Sequence, residues 1–226
     1  MNRWIDEKIK HEIDVYHNSV NPRCIRNYEI VCKLATGGFG AVYKVKNTTN
    51  MKEYALKMSI KDFSGKDGTS MLQEVRILSD INCLDPKNKF PLLKLRDSFV
   101  HDHKLCMVFP LMGETIARVM DDRRFYFKRK EIQHVGYQIF QGLNFLHMEG
   151  ITHTDIKPDN IMFTTRGSYK EIRIIDVGLA RFSSQDKFIQ ISNDAYQAPE
   201  IILDRGYNTC SDIWAAGTLY QISLFI

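Results

Sequence analysis

The chain has 226 residues, 44% hydrophobic and 26% charged, and 31 lysines and arginines against 27 acidic residues leave a net charge of +4. That length supports a sizeable core in one or two domains, and the composition is that of a globular protein rather than a disordered one. The mild charge balance argues against a nucleic-acid or membrane-surface binder.

Five cysteines, Cys24, Cys32, Cys83, Cys106 and Cys210, include no CxxC pair. The opening stretch MNRWIDEKIKHEID is charged throughout and has no apolar signal-peptide core. A reduced, intracellular protein with free thiols is therefore expected. Residues 1–27 read as an extension in which Ile5, Ile9, Ile13 and Tyr16 fall on one helical face, as a short helix lying on the following domain would have them.

From Tyr28 the pattern turns to strands. YEIVCKLAT, AVYKVKN and KEYALKM are three β-rich runs, the last two separated by the turn-forming TTNM. The NTT at Asn47 matches a glycosylation sequon, but without a secretion signal it reads as a turn. A glycine-containing loop, FSGKDG, leads to TSMLQEVRILSDI, where Leu72, Val75, Leu78 and Ile81 keep helical spacing. Two more strands, LLKLRDSFV and KLCMVFPL, are joined by HDH. His101 and His103 have no further metal ligands at useful spacing, so a solvated hairpin turn is expected there.

After Met112 the chain becomes helical. KRKEIQHVGYQIFQGLNFLHMEG places Ile132, Val135, Ile139, Leu143 and Leu146 on one face and ends at Gly150. Short strands, ITH, IMFT and IRIID, flank the next stretch; a polar segment runs to APE, and a closing helix begins near Ser211. Its apolar run, Ile213 to Ile226, has 14 residues, where a membrane span needs about 20. A core helix is expected instead. The layout predicts an α+β fold in two lobes, a small sheet with one helix and then a mainly helical part.

Four groups of residues carry chemistry. In LATGGFGAVY, Leu34 to Tyr43, a glycine-rich turn between strands lets backbone N–H groups approach phosphate oxygens with no side chains intervening. Lys57 follows in YALKM; a lysine pointing inward needs a counter-charge, and Glu74 on the next helix can supply it. HTDIKPDN, His153 to Asn160, and DVG at Asp176 combine a base, a lysine and hard oxygen ligands suited to Mg²⁺. AYQAPE, Ala195 to Glu200, closes the series. Each piece has a structural explanation by itself; six in this order and spacing do not.

From about Tyr28 to Ile226 the chain resembles a eukaryotic protein kinase. HTD in place of the common HRD, YEIV entering the glycine turn and QIFQGLNFLH before the catalytic loop are most similar to the CDC-like (LAMMER) and SR-protein kinases. The resemblance implies an N-lobe over about 28–110, a hinge over about 110–113 and a C-lobe from about 114 to 226. It implies ATP and Mg²⁺ as cofactors. Leu34, Ala35, Thr36, Gly37, Gly38, Phe39, Gly40, Ala41 and Val42 would form the glycine-rich turn over ATP, Ala35 standing in the first glycine position. Lys57 would hold the α- and β-phosphates, paired with Glu74. Phe109 would be the gatekeeper, Pro110 and Met112 would bond adenine through backbone groups, and Leu34, Val42, Ala55 and Met162 would enclose the ring. Asp155 would accept the proton of a substrate hydroxyl and Lys157 would neutralise charge on the transferred γ-phosphoryl group. Asn160 and Asp176 would hold the metal. Asp159 would face a basic side chain of the substrate.

Thr154 stands where most such loops carry arginine, the residue that pairs with an activation-loop phosphate. Threonine cannot make that ion pair, so the resemblance implies activity without that phosphorylation. Other departures are Val177 for the phenylalanine of DFG, Asn193 for a bracing threonine, and Gln197 for the arginine of YRAPE. The chain stops in the helix that the family follows with three more, which leaves an apolar helix face expected to cause marginal stability or weak self-association. It also leaves Glu200 without its family partner.

The expected function is a serine/threonine or dual-specificity protein kinase acting on protein substrates rich in arginine and serine, without direct nucleic-acid or membrane binding, in nucleus or cytoplasm. The alternatives are a pseudokinase scaffold, which Val177 and Asn193 favour, and a casein-kinase-like enzyme with acidic or primed substrates.

Overall fold

The computed structural model describes residues 24–37, 40–60, 68–122, 127–182 and 194–225. In chain order its elements begin with four strands: β1 (Cys24–Ile25), β2 (Tyr28–Thr36), β3 (Gly40–Asn47) and β4 (Glu53–Ser59). Helix α1 (Gly68–Leu84), strands β5 (Asp97–His101) and β6 (Lys104–Pro110), and helices α2 (Ile116–Met120) and α3 (Arg129–Met148) follow. Then come β7 (Ile151–Thr152), β8 (Ile161–Thr165), β9 (Ser168–Ile174), β10 (Arg181–Phe182), α4 (Pro199–Ile202) and α5 (Thr209–Phe225). The helix expected within residues 1–27, Gly38, Phe39 and Asn193 lie outside the described residues.

The chain divides into two units. One holds the described residues up to Ser79 together with Lys94–Leu111; the other holds Asp80–Leu93 and the chain from Met112 onward.

The first unit is a six-stranded antiparallel sheet in the order β1-β2-β3-β4-β6-β5. Strand alternation puts Val45, Leu56, Cys106 and Val108 into a core with Ile25, Tyr28 and Phe99. Tyr28 stacks on Phe99 and meets Tyr54 edge-on, with ring centroids 6.1 Å apart in both pairs. Each such large apolar side chain contributes about 1.5–3 kcal/mol on burial.

The turns fold as their residues dictate. Asp102 and His103 of HDH both take left-handed backbone angles, φ 46° and 59°, the pairing of a two-residue hairpin turn. The Asn47 side chain accepts hydrogen bonds from the amides of Thr49 and Asn50 at 2.9 and 3.0 Å, so this asparagine is a turn-former, as read.

The second unit is built on α3, whose Ile132, Val135, Ile139, Leu143 and Leu146 are all buried as the periodicity requires. It packs against α5 and the β8–β9 hairpin. Gln138 ties helix to hairpin, donating to the Lys170 carbonyl at 2.8 Å and accepting from the Ile172 amide at 3.0 Å. Gly136 and Gly142 make these approaches possible, because a Cβ there would meet the Tyr220 ring at 3.0 Å or Ile174 Cδ1 at 2.7 Å. On α5, Ile213 and Trp214 are exposed. Among the described residues no helix is long and apolar enough to cross a membrane.

Three expectations need correcting. LLKLRDSFV is a strand only from Asp97; Leu92 and Leu93 instead pair with Ile174, the Leu93 amide donating to its carbonyl at 2.9 Å. On α1 the buried residues are Met71, Glu74, Val75, Ile77, Leu78 and Ile81, while Leu72 is only half-buried: the helix phase that buries Glu74 turns Leu72 aside. The strand expected over IRIID starts earlier, at Ser168, and ends at Ile174 because the next amide, Ile175, donates to Asn160 instead.

Candidate active site

In the first unit the strand register sorts the candidate residues onto one face. Val42 lies opposite Lys57, Ala35 opposite Val42, and Ala55 opposite Phe109. Cross-strand partners share a face, and so do residues two apart. Ala35, Val42, Ala55, Lys57 and Phe109 therefore share the face opposite the Val45–Leu56–Val108 core. Leu34 is exposed and Pro110 ends β6 exposed.

The glycine turn closes with the Gly37 amide donating to the Gly40 carbonyl at 2.9 Å. Thr36 and Ala41 are directly paired across it. A Cβ on Gly40 would sit 2.6 Å from the Met58 carbonyl oxygen, whereas one on Gly37 would meet nothing within 4 Å. Gly40 is thus required by strand packing, and Gly37 leaves open space.

Lys57 Nζ donates to both carboxylate oxygens of Glu74, at 2.8 and 2.9 Å. Glu74 is buried and Lys57 nearly so. A buried carboxylate on a helix that otherwise buries aliphatic residues is tolerable only with such a partner.

The second unit holds the loop from His153 to Asn160. Asp155 is 9% exposed. Lys157 Nζ reaches both its oxygens, at 3.0 and 2.7 Å, and Asn160 Nδ2 donates to its carbonyl and to its Oδ2, both at 2.8 Å. The three side chains form one cluster, with the Asn160 amide turned so that its nitrogen serves Asp155. Asp176 takes a left-handed angle, φ 58°, and accepts from the Gly178 amide at 3.4 Å. Met162 pairs with Arg173 in the hairpin and bridges to Thr115. Gly113, next to Met112, is held against the same hairpin, its amide donating to the Phe163 carbonyl at 2.8 Å. Asp159 is exposed. Burial, and then the nearby Asp159 charge, push the Tyr196 phenol above its ordinary value.

The protein kinase domain family matches residues 28–225. The chain belongs to that family. Dual specificity protein kinase CLK1 of Mus musculus is 29% identical over 212 residues, covering 85% of this chain and 43% of the relative. Dual specificity protein kinase lkh1 of Schizosaccharomyces pombe is 30% identical over 216 residues, covering 88% of this chain and 31% of the relative. The crystal structure of the PF14_0431 kinase domain matches with a TM-score of 0.78 at 25% identity, covering 92% of this chain and 67% of that one. The fold is that of a protein kinase, and the chain spans less than half the length of the curated relatives it matches.

The kinase loop has an anchor that sequence reasoning did not single out. Asp212 of α5, 1% exposed, accepts from the His153 amide at 2.8 Å, from the Thr154 amide at 2.8 Å and pairs with His147 Nε2 at 2.8 Å. An acidic residue opening the apolar run SDIWAAG was the available signal. Thr154 itself has φ 68°, an outlier for a β-branched residue, and the two Asp212 bonds hold the backbone there.

Glu200 corrects an expectation. It is half-buried and accepts from the Ser211 hydroxyl at 2.9 Å, so it has a partner within the described chain. Gln197 lines a cleft together with Thr154, Asp155, Tyr196, Ser211 and Asp212.

Proposed function

We propose that this chain transfers the γ-phosphoryl group of Mg·ATP to serine or threonine hydroxyls of proteins. The carrying observation is the Asp155 carboxylate, desolvated and held between Lys157 Nζ and Asn160 Nδ2. A carboxylate so oriented can align a substrate hydroxyl and take its proton. Lys157, a cation already at that carboxylate, offsets negative charge growing on the transferred group.

The donor set fits the metal. With its nitrogen engaged by Asp155, Asn160 would present its amide oxygen, and Asp176 a carboxylate, both hard ligands that suit Mg²⁺. When bound, the metal neutralises charge on the phosphates. Lys57, oriented by Glu74, would hold the α- and β-phosphates, the glycine turn from Leu34 to Val42 would cover them, and Ala55, Phe109, Pro110, Met112 and Met162 would receive adenine.

The likeness to kinases named as dual specificity supports tyrosine as a further target. Protein substrates rich in arginine and serine are the proposed class, Asp159 supplying an exposed negative charge beside the catalytic loop. Nucleus or cytoplasm is the proposed workplace.

A panel of three peptides, arginine/serine-repeat, acidic and phosphate-primed, tests the substrate class. Preference for the first, weakened in Asp159→Asn, is expected. Preference for the acidic or primed peptide would replace this substrate class with a casein-kinase-like one.

A further inference from the structure

We infer that Thr154 is a positioning residue whose hydroxyl holds the Asp176 turn in place by a neutral hydrogen bond that needs no phosphate. The inference rests on the kinase reading above.

Thr154 Oγ1 donates to the Leu179 carbonyl at 2.8 Å, while the Thr154 amide donates to Asp212 Oδ1 at 2.8 Å. The residue is buried, 9% exposed. Leu179 belongs to the turn that starts at Asp176: the Gly178 amide donates to Asp176 Oδ1 at 3.4 Å, and the Ala180 amide to the Val177 carbonyl at 3.0 Å. Immediately beyond, Arg181 and Phe182 pair with Thr152 and Ile151.

The linkage thus runs from helix α5 through Asp212 to Thr154, and from its hydroxyl to the turn that presents Asp176. A β-branched residue persists at φ 68° only where its surroundings over-determine it, and here the buried Asp212 carboxylate of α5 does so. Charged partners at this place would order the following segment only after a phosphate arrived. A hydroxyl meeting a backbone carbonyl is complete as the chain folds. Val177 is smaller than the phenylalanine of the family's DFG, and the hydroxyl bond to Leu179 also restrains the turn that carries it.

Two variants separate the hydroxyl from the shape of the side chain. Thr154→Val keeps the branch and removes the donor; Thr154→Ser keeps the donor. Amide hydrogen exchange on the whole chain reads the turn directly, without nucleotide. In Thr154→Val the amides from Gly178 to Phe182 are expected to exchange roughly tenfold faster, the scale of one lost buried hydrogen bond. Those of α3 stay at the wild-type rate, and Thr154→Ser stays near wild type throughout.

In transfer assays Thr154→Val is expected to need several-fold more Mg²⁺ for half-maximal rate, with the KM for peptide unchanged. Unchanged exchange in Thr154→Val, an equal rise in Thr154→Ser, or a rise that spreads into α3 would overturn the inference. A wild-type chain that transfers no phosphate would remove the kinase reading, while the exchange rates would still decide what Thr154 does.

Discussion

Asp212 accepts hydrogen bonds from two consecutive backbone amides and from His147, and is almost completely buried. Replacing it by alanine leaves buried donors without an acceptor, each costing about 1–3 kcal/mol. Asp212→Ala is therefore expected to lower unfolding stability by about 3 kcal/mol or more in urea titrations, and a loss within about 0.5 kcal/mol, as for an uninvolved surface residue, would contradict the anchor role.

Cys106 gives a pH-dependent prediction at the same scale. Burial pushes its thiol from 9.0 up to about 12. An acid whose folded value lies above its unfolded one adds stability below the unfolded value and loses it as pH rises toward the folded one. The wild type should thus lose stability relative to Cys106→Ala as pH climbs above about 9. Urea midpoints of both proteins at pH 8 and 10.5 measure this; a constant difference would count against it.

The sequence made the Lys57–Glu74 pair and the Asp155–Lys157–Asn160 cluster legible because their partners stand at fixed short spacings or on adjacent elements. Asp212 was not legible, since its partners lie far away in the chain and an acid in the first turn of a helix has an ordinary explanation. The Thr154 hydroxyl escaped notice for a similar reason: its partner is a backbone carbonyl, which no residue type announces.

Among elements, long periodic ones were readable and short ones were not. Strand β2 spans the run read for it, Tyr28–Thr36, and helix α3 buries its apolar stripe. Helices α2 and α4, of five and four residues, hold too few side chains to show a period. The segment from Leu92 misled because an apolar run predicts burial and not which partner supplies it; the Leu93 amide donates to the Ile174 carbonyl and the Ile174 amide to Pro91. The glycine turn is the element where geometry makes the sharpest forecast. Gly40→Ala would press a Cβ to 2.6 Å from the Met58 carbonyl and should cost about 1–3 kcal/mol by forcing β3 from β4. Gly37→Ala meets open space and should change stability by no more than about 0.5 kcal/mol. Urea denaturation of the two variants checks the order, which equal losses would contradict.

At the scale of the whole molecule, the order of motifs was more informative than any one of them. A glycine turn, a lysine, a glutamate, HTDIKPDN, DVG and APE each occur in unrelated proteins; their succession specified both the small sheet and the helical unit. The structure adds that each unit holds its charged residues together by short contacts. Lys57 meets Glu74 in one, and Asp155 meets Lys157 and Asn160 in the other. Intact clusters of this kind favour an enzyme over a scaffold, because a buried charge pair with no task is stabilising only marginally if at all.

The most direct test is phosphate transfer from γ-labelled ATP to an arginine/serine-repeat peptide by the wild type and by Asp155→Asn. Labelled peptide from the wild type is expected, with the rate lowered roughly 10²–10⁴-fold in the variant. A folded wild type that labels no more peptide than Asp155→Asn would contradict the assignment of catalysis to this cluster.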